Sequence, residues 1–275
     1  MMVTQKEKGR VFRALHETDE AFIIPNPWDI GTAKLLQSVG FKALATTGAG
    51  YAFSIGQQDG TLGRNEMLTY VRDIASATDL PVSADLESGF GDEPDFVAQT
   101  IELGWRAGLV GASIEDIIVD NKGRSSKLHE LDFAVERIKA AVAAARKAPC
   151  MFTLTARCEN YLIGNPDLKD TIKRLQAYQN AGADVLYAPG VTQQSEIEAI
   201  VKSLDKPVNV VVGLKGIPMS RDELSSLGVK RISLGSTLSR TALGAFLKAT
   251  DEILNQGTFG FSEQAVEYSK INSMF

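Results

Sequence analysis

The chain has 275 residues, 44% of them hydrophobic and 23% charged, with a formal net charge of −5 and no basic run to grip nucleic acid. That length supports a large core without staples, and two cysteines, Cys150 and Cys158, are too few for a disulfide scaffold. No apolar run reaches the ~20 residues of a membrane span, and the opening MMVTQKEKGR lacks the apolar centre of a secretory leader, so a soluble, cytoplasmic protein is expected.

A short helical pattern at 5–16 opens the chain. Eight β-like runs follow, at 21–26, 43–47, 81–87, 111–116, 151–157, 185–188, 208–212 and 231–235. Helical patterns at 30–39, 64–78, 94–107, 132–147, 168–181 and 193–204 lie between them. Strand and helix alternating in this way predict a parallel sheet, and eight units close a (β/α)8 barrel. Gly40, Gly182 and Gly228 each stand between a helical pattern and a strand, where a left-handed cap belongs. A doubly wound sheet would carry Gly-x-Gly-x-x-Gly after its first strand, and Asn26-Pro-Trp-Asp-Ile-Gly31 is not that turn. No linker divides the sequence, so one barrel domain over 1–275 is expected. Its tail after Gly257 should pack Phe259, Phe261 and Tyr268 on the barrel or on a neighbouring subunit.

In such a barrel the chemistry sits at the carboxyl ends of the strands. The segment Pro81-Val-Ser-Ala-Asp-Leu-Glu-Ser-Gly-Phe-Gly91 is the richest of these ends. Alternation along a strand puts Ser83, Asp85 and Glu87 on one face and Val82, Ala84 and Leu86 on the other. Two carboxylates ahead of a glycine-rich loop are the oxygen donors a hard divalent cation takes. Other strand ends supply Asn26, Trp28 and Asp29, then Thr46, Thr47 and Gly48, then Glu115 and Asp116, then Arg157 and Glu159. An acidic rim faced by one arginine suits a cation with an anionic substrate, Arg157 offering its rigid fork to a carboxylate or phosphonate. Structural roles compete: Arg157 as buried partner of Glu115 or Asp85, Asp29 as an N-cap, Gly48 and Gly50 as turn residues rather than amide donors to a carboxylate. Gly235-Ser236-Thr237 reads either as a phosphate-binding helix start or as a serine cap. With Gly213-Leu-Lys-Gly216 it could equip an unrelated phosphate-handling barrel. Cys158 should point away from Arg157 into the core, and His16 and His129 have no partner at metal-ligand spacing.

The order of these motifs resembles the isocitrate lyase and phosphoenolpyruvate mutase superfamily. The pieces are Asn26-Pro-Trp-Asp29, Thr46-Thr-Gly48 with Gly56-Gln-Gln-Asp59, Asp85-Leu-Glu-Ser-Gly-Phe-Gly91, Ile114-Glu-Asp116 and Ala156-Arg157, and they span most of the chain. The resemblance implies a modified (β/α)8 TIM barrel, as a homodimer or homotetramer with C-terminal helices swapped between partners. It implies Mg2+, with Asp85 as principal ligand and Glu87 and Glu115 holding metal-bound waters. Thr47, Gly48 and Ala49 would receive the substrate carboxylate and Arg157 its other anionic end. Asp59 and Lys122, on gating loops, would join Arg157 as catalytic residues.

The implied chemistry is cleavage of a C–C or P–C bond in a small 2-oxo or 2-hydroxy carboxylate through a pyruvate-like enolate. Departures in one loop narrow it. The segment 117–129 has neither the cysteine nor the Cys-Gly-His of the isocitrate and methylisocitrate lyases, and its Lys122, Arg124, Ser125 and Ser126 match the mutase loop only loosely. Glu87 stands where the family has aspartate, a change that would retune the metal shell without abolishing it. A Mg2+-dependent lyase or hydrolase is the leading expectation. A phosphoenolpyruvate/phosphonopyruvate mutase is the alternative, and a carboxylate-binding barrel with weak or no catalysis is the non-enzymatic one.

Overall fold

The computed structural model describes residues 3–120, 123–213 and 218–275. Its first half runs α1 (Gln5–Leu15), β1 (Phe22–Ile24), α2 (Ile30–Ser38), β2 (Leu44–Ala45), α3 (Gly48–Ser54), α4 (Arg64–Ala77), β3 (Val82–Asp85), α5 (Pro94–Arg106) and β4 (Gly111–Glu115). An antiparallel ribbon follows, β5 (Ile117–Asp120) and β6 (Gly123–Leu128), then α6 (Leu131–Arg146) and β7 (Thr153–Arg157). The remainder is α7 (Leu168–Asn180), β8 (Val185–Tyr187), α8 (Gln194–Lys202), β9 (Val208–Val211), α9 (Arg221–Ser226), β10 (Arg231–Ser233), α10 (Thr237–Gln256) and α11 (Tyr268–Asn272).

Eight strands lie parallel in the order β1-β10-β9-β8-β7-β4-β3-β2. The seam between β1 and β2 has one main-chain bond, Ala45 N–H to the Pro25 carbonyl at 3.0 Å. Asn26 stitches it from above: its amide donates to the Thr46 carbonyl and its oxygen accepts from Leu234 N–H, both at 2.9 Å. This is the nearly closed (β/α)8 barrel that the alternation predicts, and every expected apolar run contains a strand. The caps hold as well, with Gly40, Gly182 and Gly228 at φ of 99°, 101° and 91°.

Helix α1 plugs the amino-terminal end of the barrel. Phe12 is fully buried against Ile24, Ala43 and Val110. Its ring sits so close that a Cβ on Gly111 would stand 2.8 Å from it and 2.9 Å from the Thr153 carbonyl. His16 stacks edge-on to Phe12 and Phe22, with Nδ1 2.8 Å from the Phe12 carbonyl. Burial, reinforced by Arg231, pushes its pKa down to about 3, so the ring is neutral. Cys158 is fully buried in the main core, as expected.

Three expectations change. Residues 117–120 and 123–128, expected in a loop, are the two strands of a ribbon. The stretch around Gly48 and Gly50 is helix α3, not a turn. Of the two packings expected for the tail, the one on this chain's own barrel is not made by Phe259 and Tyr268, which are 64% and 82% exposed. The tail is instead tied to the end of α10, where the Glu252 carboxylate accepts from the Thr258 hydroxyl at 2.7 Å and from Phe261 N–H at 3.1 Å. Helix α10 itself buries only Ser239 and leaves Phe246, Leu247 and Leu254 exposed. No helix among the described residues is long and apolar enough to cross a membrane.

Asn26→Ala should destabilise the fold by about 1–3 kcal/mol, because it strips a partner from two main-chain groups at the seam. Urea unfolding checks this, and a loss under about 0.5 kcal/mol would show that the seam does not depend on Asn26.

Candidate active site

Strand β3 stops at Asp85, two residues short of the expected end. Asp85 Oδ1 then accepts the Glu87 N–H at 3.1 Å, which bends the chain and places Glu87 at φ 50° and Phe90 at φ 64°. Strand alternation therefore does not orient Glu87. Two non-glycine residues in the left-handed region cost about 1 kcal/mol or more each, so something must hold them there.

Arg137 of α6 does so. Its guanidinium, almost wholly buried, donates to the carbonyls of Ser88, Gly91 (3.1 Å), Asp92 (2.9 Å) and Glu115 (3.1 Å). Glu115 N–H in turn donates to the Glu87 carbonyl at 3.0 Å. Nothing in the sequence marks Arg137, which sits in an ordinary amphipathic helix pattern.

Arg157 closes β7 among three carboxylates. Nε and Nη2 grip Glu159, with Nη2 3.1 Å from Oε2, while Nη1 lies 3.2 Å from Asp85 Oδ2 and 3.2 Å from Glu115 Oε2. Burial opposes the guanidinium charge, but Glu115, Glu159 and Asp85 outweigh it and hold the pKa well above the usual arginine range. Of the two roles the sequence left open for this residue, the geometry shows the structural one, a buried ion-pair partner, and places Arg157 in the cavity wall. Its two-nitrogen fork is taken by Glu159. Asp116 lies behind, accepting from Glu159 N–H (2.9 Å) and the Tyr178 hydroxyl (2.5 Å), and burial raises its pKa.

A cavity of about 70 Å³ opens at these strand ends. Thr47, Asp85 and Arg157 line it, joined by Ser113, Tyr187, Asn209 and Arg231, which the sequence reading missed. Their signal was inward strand alternation, masked by runs too short to show a period. Of the expected acidic residues, Asp85 is the one within reach of the mouth, with its side chain 29% exposed against 0% for Glu115. Glu87 turns toward Gly48, its Oε1 3.1 Å from where a Cβ there would sit, and lines a second cavity of about 670 Å³. Asp59 is exposed on the loop before α4, beside Gly60, which lines that second cavity. Among the described residues, no three His, Cys, Asp or Glu side chains stand as a ready metal cage. Lys122 lies outside the described residues.

Thr47 caps α3, its hydroxyl accepting Gly50 N–H at 3.2 Å, and Gly48 and Ala49 open the helix. Gly50 is required there, since a Cβ would stand 2.7 Å from Thr47 Cγ2 and 3.2 Å from Trp28 Cβ. Asp29 is the N-cap of α2, accepting Thr32 N–H at 2.6 Å. Ser236 makes no side-chain cap bond, and 214–217, the rest of the suggested phosphate loop, lie outside the described residues.

The family signature described as phosphoenolpyruvate phosphomutase matches residues 12–254. The chain belongs to that family. Curated relatives include an uncharacterized protein of Mycobacterium tuberculosis, 31% identical over 82% of this chain and 81% of its own length. An oxaloacetate decarboxylase of Pseudomonas aeruginosa is 30% identical over 96% and 91%. A 2-methylisocitrate lyase of Aeropyrum pernix is 27% identical over 91% and 81%. Among solved structures, a protein of Burkholderia cenocepacia J2315 named provisionally as a lyase/mutase superposes with TM-score 0.94 at 56% identity, covering 98% and 95%. A 2,3-dimethylmalate lyase gives 0.85 at 27%, covering 100% and 95%. A phosphonopyruvate hydrolase solved with oxalate and Mg2+ gives 0.84 at 25%, covering 97% and 94%. The phosphomutase family and its superfamily thus comprise lyases, hydrolases and mutases of small carboxylates.

Arg137→Met should loosen the 87–92 turn and cost about 3 kcal/mol or more, because four buried carbonyls lose a charged donor. Thermal unfolding with amide hydrogen exchange reads both effects. Unchanged protection across 87–92 would show that the turn holds itself.

Proposed function

We propose that this protein is a Mg2+-dependent lyase or hydrolase that cleaves a C–C or P–C bond of a small 2-oxo or 2-hydroxy carboxylate, the bond's electron pair remaining as a pyruvate-like enolate from a 2-oxo acid, or as the enolate of the second fragment, with pyruvate as the ketone, from a 2-hydroxy acid. The observation that carries this is the convergence of Asp85 and Glu115 on one nitrogen of Arg157, at the mouth of a cavity of about 70 Å³. That volume holds several water-sized groups, which suits an acid of few carbons.

The donor set fits the ion: oxygen atoms only, one carboxylate partly open and another buried beside it. Asp85 would hold the cation directly, and Glu115 and Glu87 through water. When bound, Mg2+ supplies Lewis-acid stabilisation of the charge that develops on the enolate oxygen. The chain contributes the rest. Arg157, fixed on one edge by Glu159, lines the cavity wall, where an anionic group would share its Nη1 with Asp85 and Glu115. Thr47 closes the adjacent wall with the first turn of α3 behind it. Roles for Asp59 and for Lys122, as gating-loop catalytic residues, rest on family resemblance.

Pyruvate release should be measured from oxaloacetate, phosphonopyruvate, 2-methylmalate-type acids and methylisocitrate, each with Mg2+ and with EDTA. At least one acid should yield metal-dependent pyruvate, and Asp85→Ala should lower that rate by about 100-fold or more with little loss of stability. Silence on the whole panel, or activity indifferent to EDTA and to Asp85→Ala, would refute the reading.

We also propose that α10 and the tail dock on a second copy of this chain, giving a dimer or tetramer. The support is the exposed apolar side chains Phe246, Leu247 and Leu254 of α10, a helix that buries only Ser239, continued by Phe259 and Tyr268 in the tail. Sedimentation should give at least twice the 29.7 kDa chain mass, and Leu247→Glu with Leu254→Glu should shift it toward the monomer. A monomeric wild-type protein would contradict this.

A further inference from the structure

At the amino-terminal end of the barrel a cavity of about 440 Å³ lies between the end of α1 and the starts of β7, β8, β9 and β10. It shares no lining residue with the Asp85 cavity, and its size is that of a small-molecule site. Its buried and half-buried polar lining is Arg13, His16, Thr153, Asp184 and Lys230.

Three atoms of that lining are buried with no hydrogen-bond partner: Arg13 Nε, His16 Nε2 and Thr153 Oγ1. His16 Nδ1 faces the Phe12 carbonyl at 2.8 Å, and a carbonyl only accepts. Nδ1 therefore carries the proton of the neutral ring, and Nε2 is left as an acceptor. Arg13 Nε can only donate, and the Thr153 hydroxyl can do either. Unmet buried groups cost free energy, which a ligand with hydroxyls and an oxyanion would recover. Being buried, they meet a ligand only after the small side-chain adjustments that binding commonly brings.

The charges select the anion. The nearly buried Asp184 carboxylate is shared by two guanidiniums, Arg13 at 3.1 Å and Arg146 at 2.8 Å. Lys230 Nζ donates to the neutral carbonyls of Thr18 and Asp19, at 2.9 and 3.0 Å. Three positive charges thus stand against one negative. The other charged lining groups, Glu17, Asp205 and Lys206, are exposed and screened by water. A phosphate monoester, with a charge of about −1.5 to −2 at neutral pH, balances this excess better than a carboxylate.

We propose that this cavity is a second ligand site, opposite the Asp85 rim, for a phosphate monoester that also carries hydroxyl groups, as sugar phosphates do. It does not depend on the function proposed for the rim.

Ribose 5-phosphate is the probe, with ribose and inorganic phosphate as its separate halves, titrated calorimetrically into the full chain without Mg2+. The ester should bind about tenfold or more tighter than either half. Thr153→Val removes an unpartnered hydroxyl, so the empty protein should keep or gain melting temperature while affinity falls about fivefold or more. Arg13→Met should weaken binding at least as much, with Asp184 still held by Arg146. Asp85→Ala should leave affinity within about twofold. No binding up to about 10 mM overturns the proposal, and affinity no better than that of inorganic phosphate, an adventitious ion only, does the same. So does binding that Asp85→Ala abolishes, or that folded Thr153→Val or Arg13→Met leaves intact. If one of those two variants does not fold, the other decides alone.

Discussion

Arg157 can satisfy its charge only where Asp85, Glu115 and Glu159 come together, and these arrive from the ends of β3 and β4 and from the loop after β7. The three strands are neighbours in the barrel, so the ion cluster links at the mouth the strands that the ladder joins lower down. Removing one member would leave a buried charge unbalanced, which costs more than the pair itself contributes. Glu159 in turn leans on Asp116, and Asp116 on Tyr178 and Arg174. The rim is therefore an extension of the core in polar form.

The barrel was legible in the sequence because its signals are local. Apolar runs, helical periods and the glycines at 40, 182 and 228 each report on a few adjacent residues. Asp85, Glu115, Arg157 and Thr47 were legible for a related reason: a strand's end fixes where a side chain at that end must point. Glu87 broke that rule because Asp85 caps its own turn, an event two residues long that alternation cannot register. Arg137 and Arg231 were illegible for the opposite reason. Both act across the fold, one from a helix onto a distant turn and one from the last barrel strand toward the centre, and neither leaves a spacing in the sequence.

The site thus divides into an upper layer where carboxylates outnumber the arginine and a lower one whose charge is the single guanidinium of Arg231. The upper layer suits a cation. In the lower layer, Arg231 stands among amides and hydroxyls. A field running between these layers is a property of the strands themselves, so it is present before any ligand arrives.

Arg137 grips the turn after β3 by carbonyl oxygens alone. Main-chain oxygens are the same whatever side chain is attached, so these four bonds do not read the side chains of the turn, although the Asp92 carboxylate also supports the Arg137 charge. The scaffold can therefore try new letters in the turn while its shape is inherited. A barrel rim held in this way lends itself to divergence toward different acids, and to redesign along the same route.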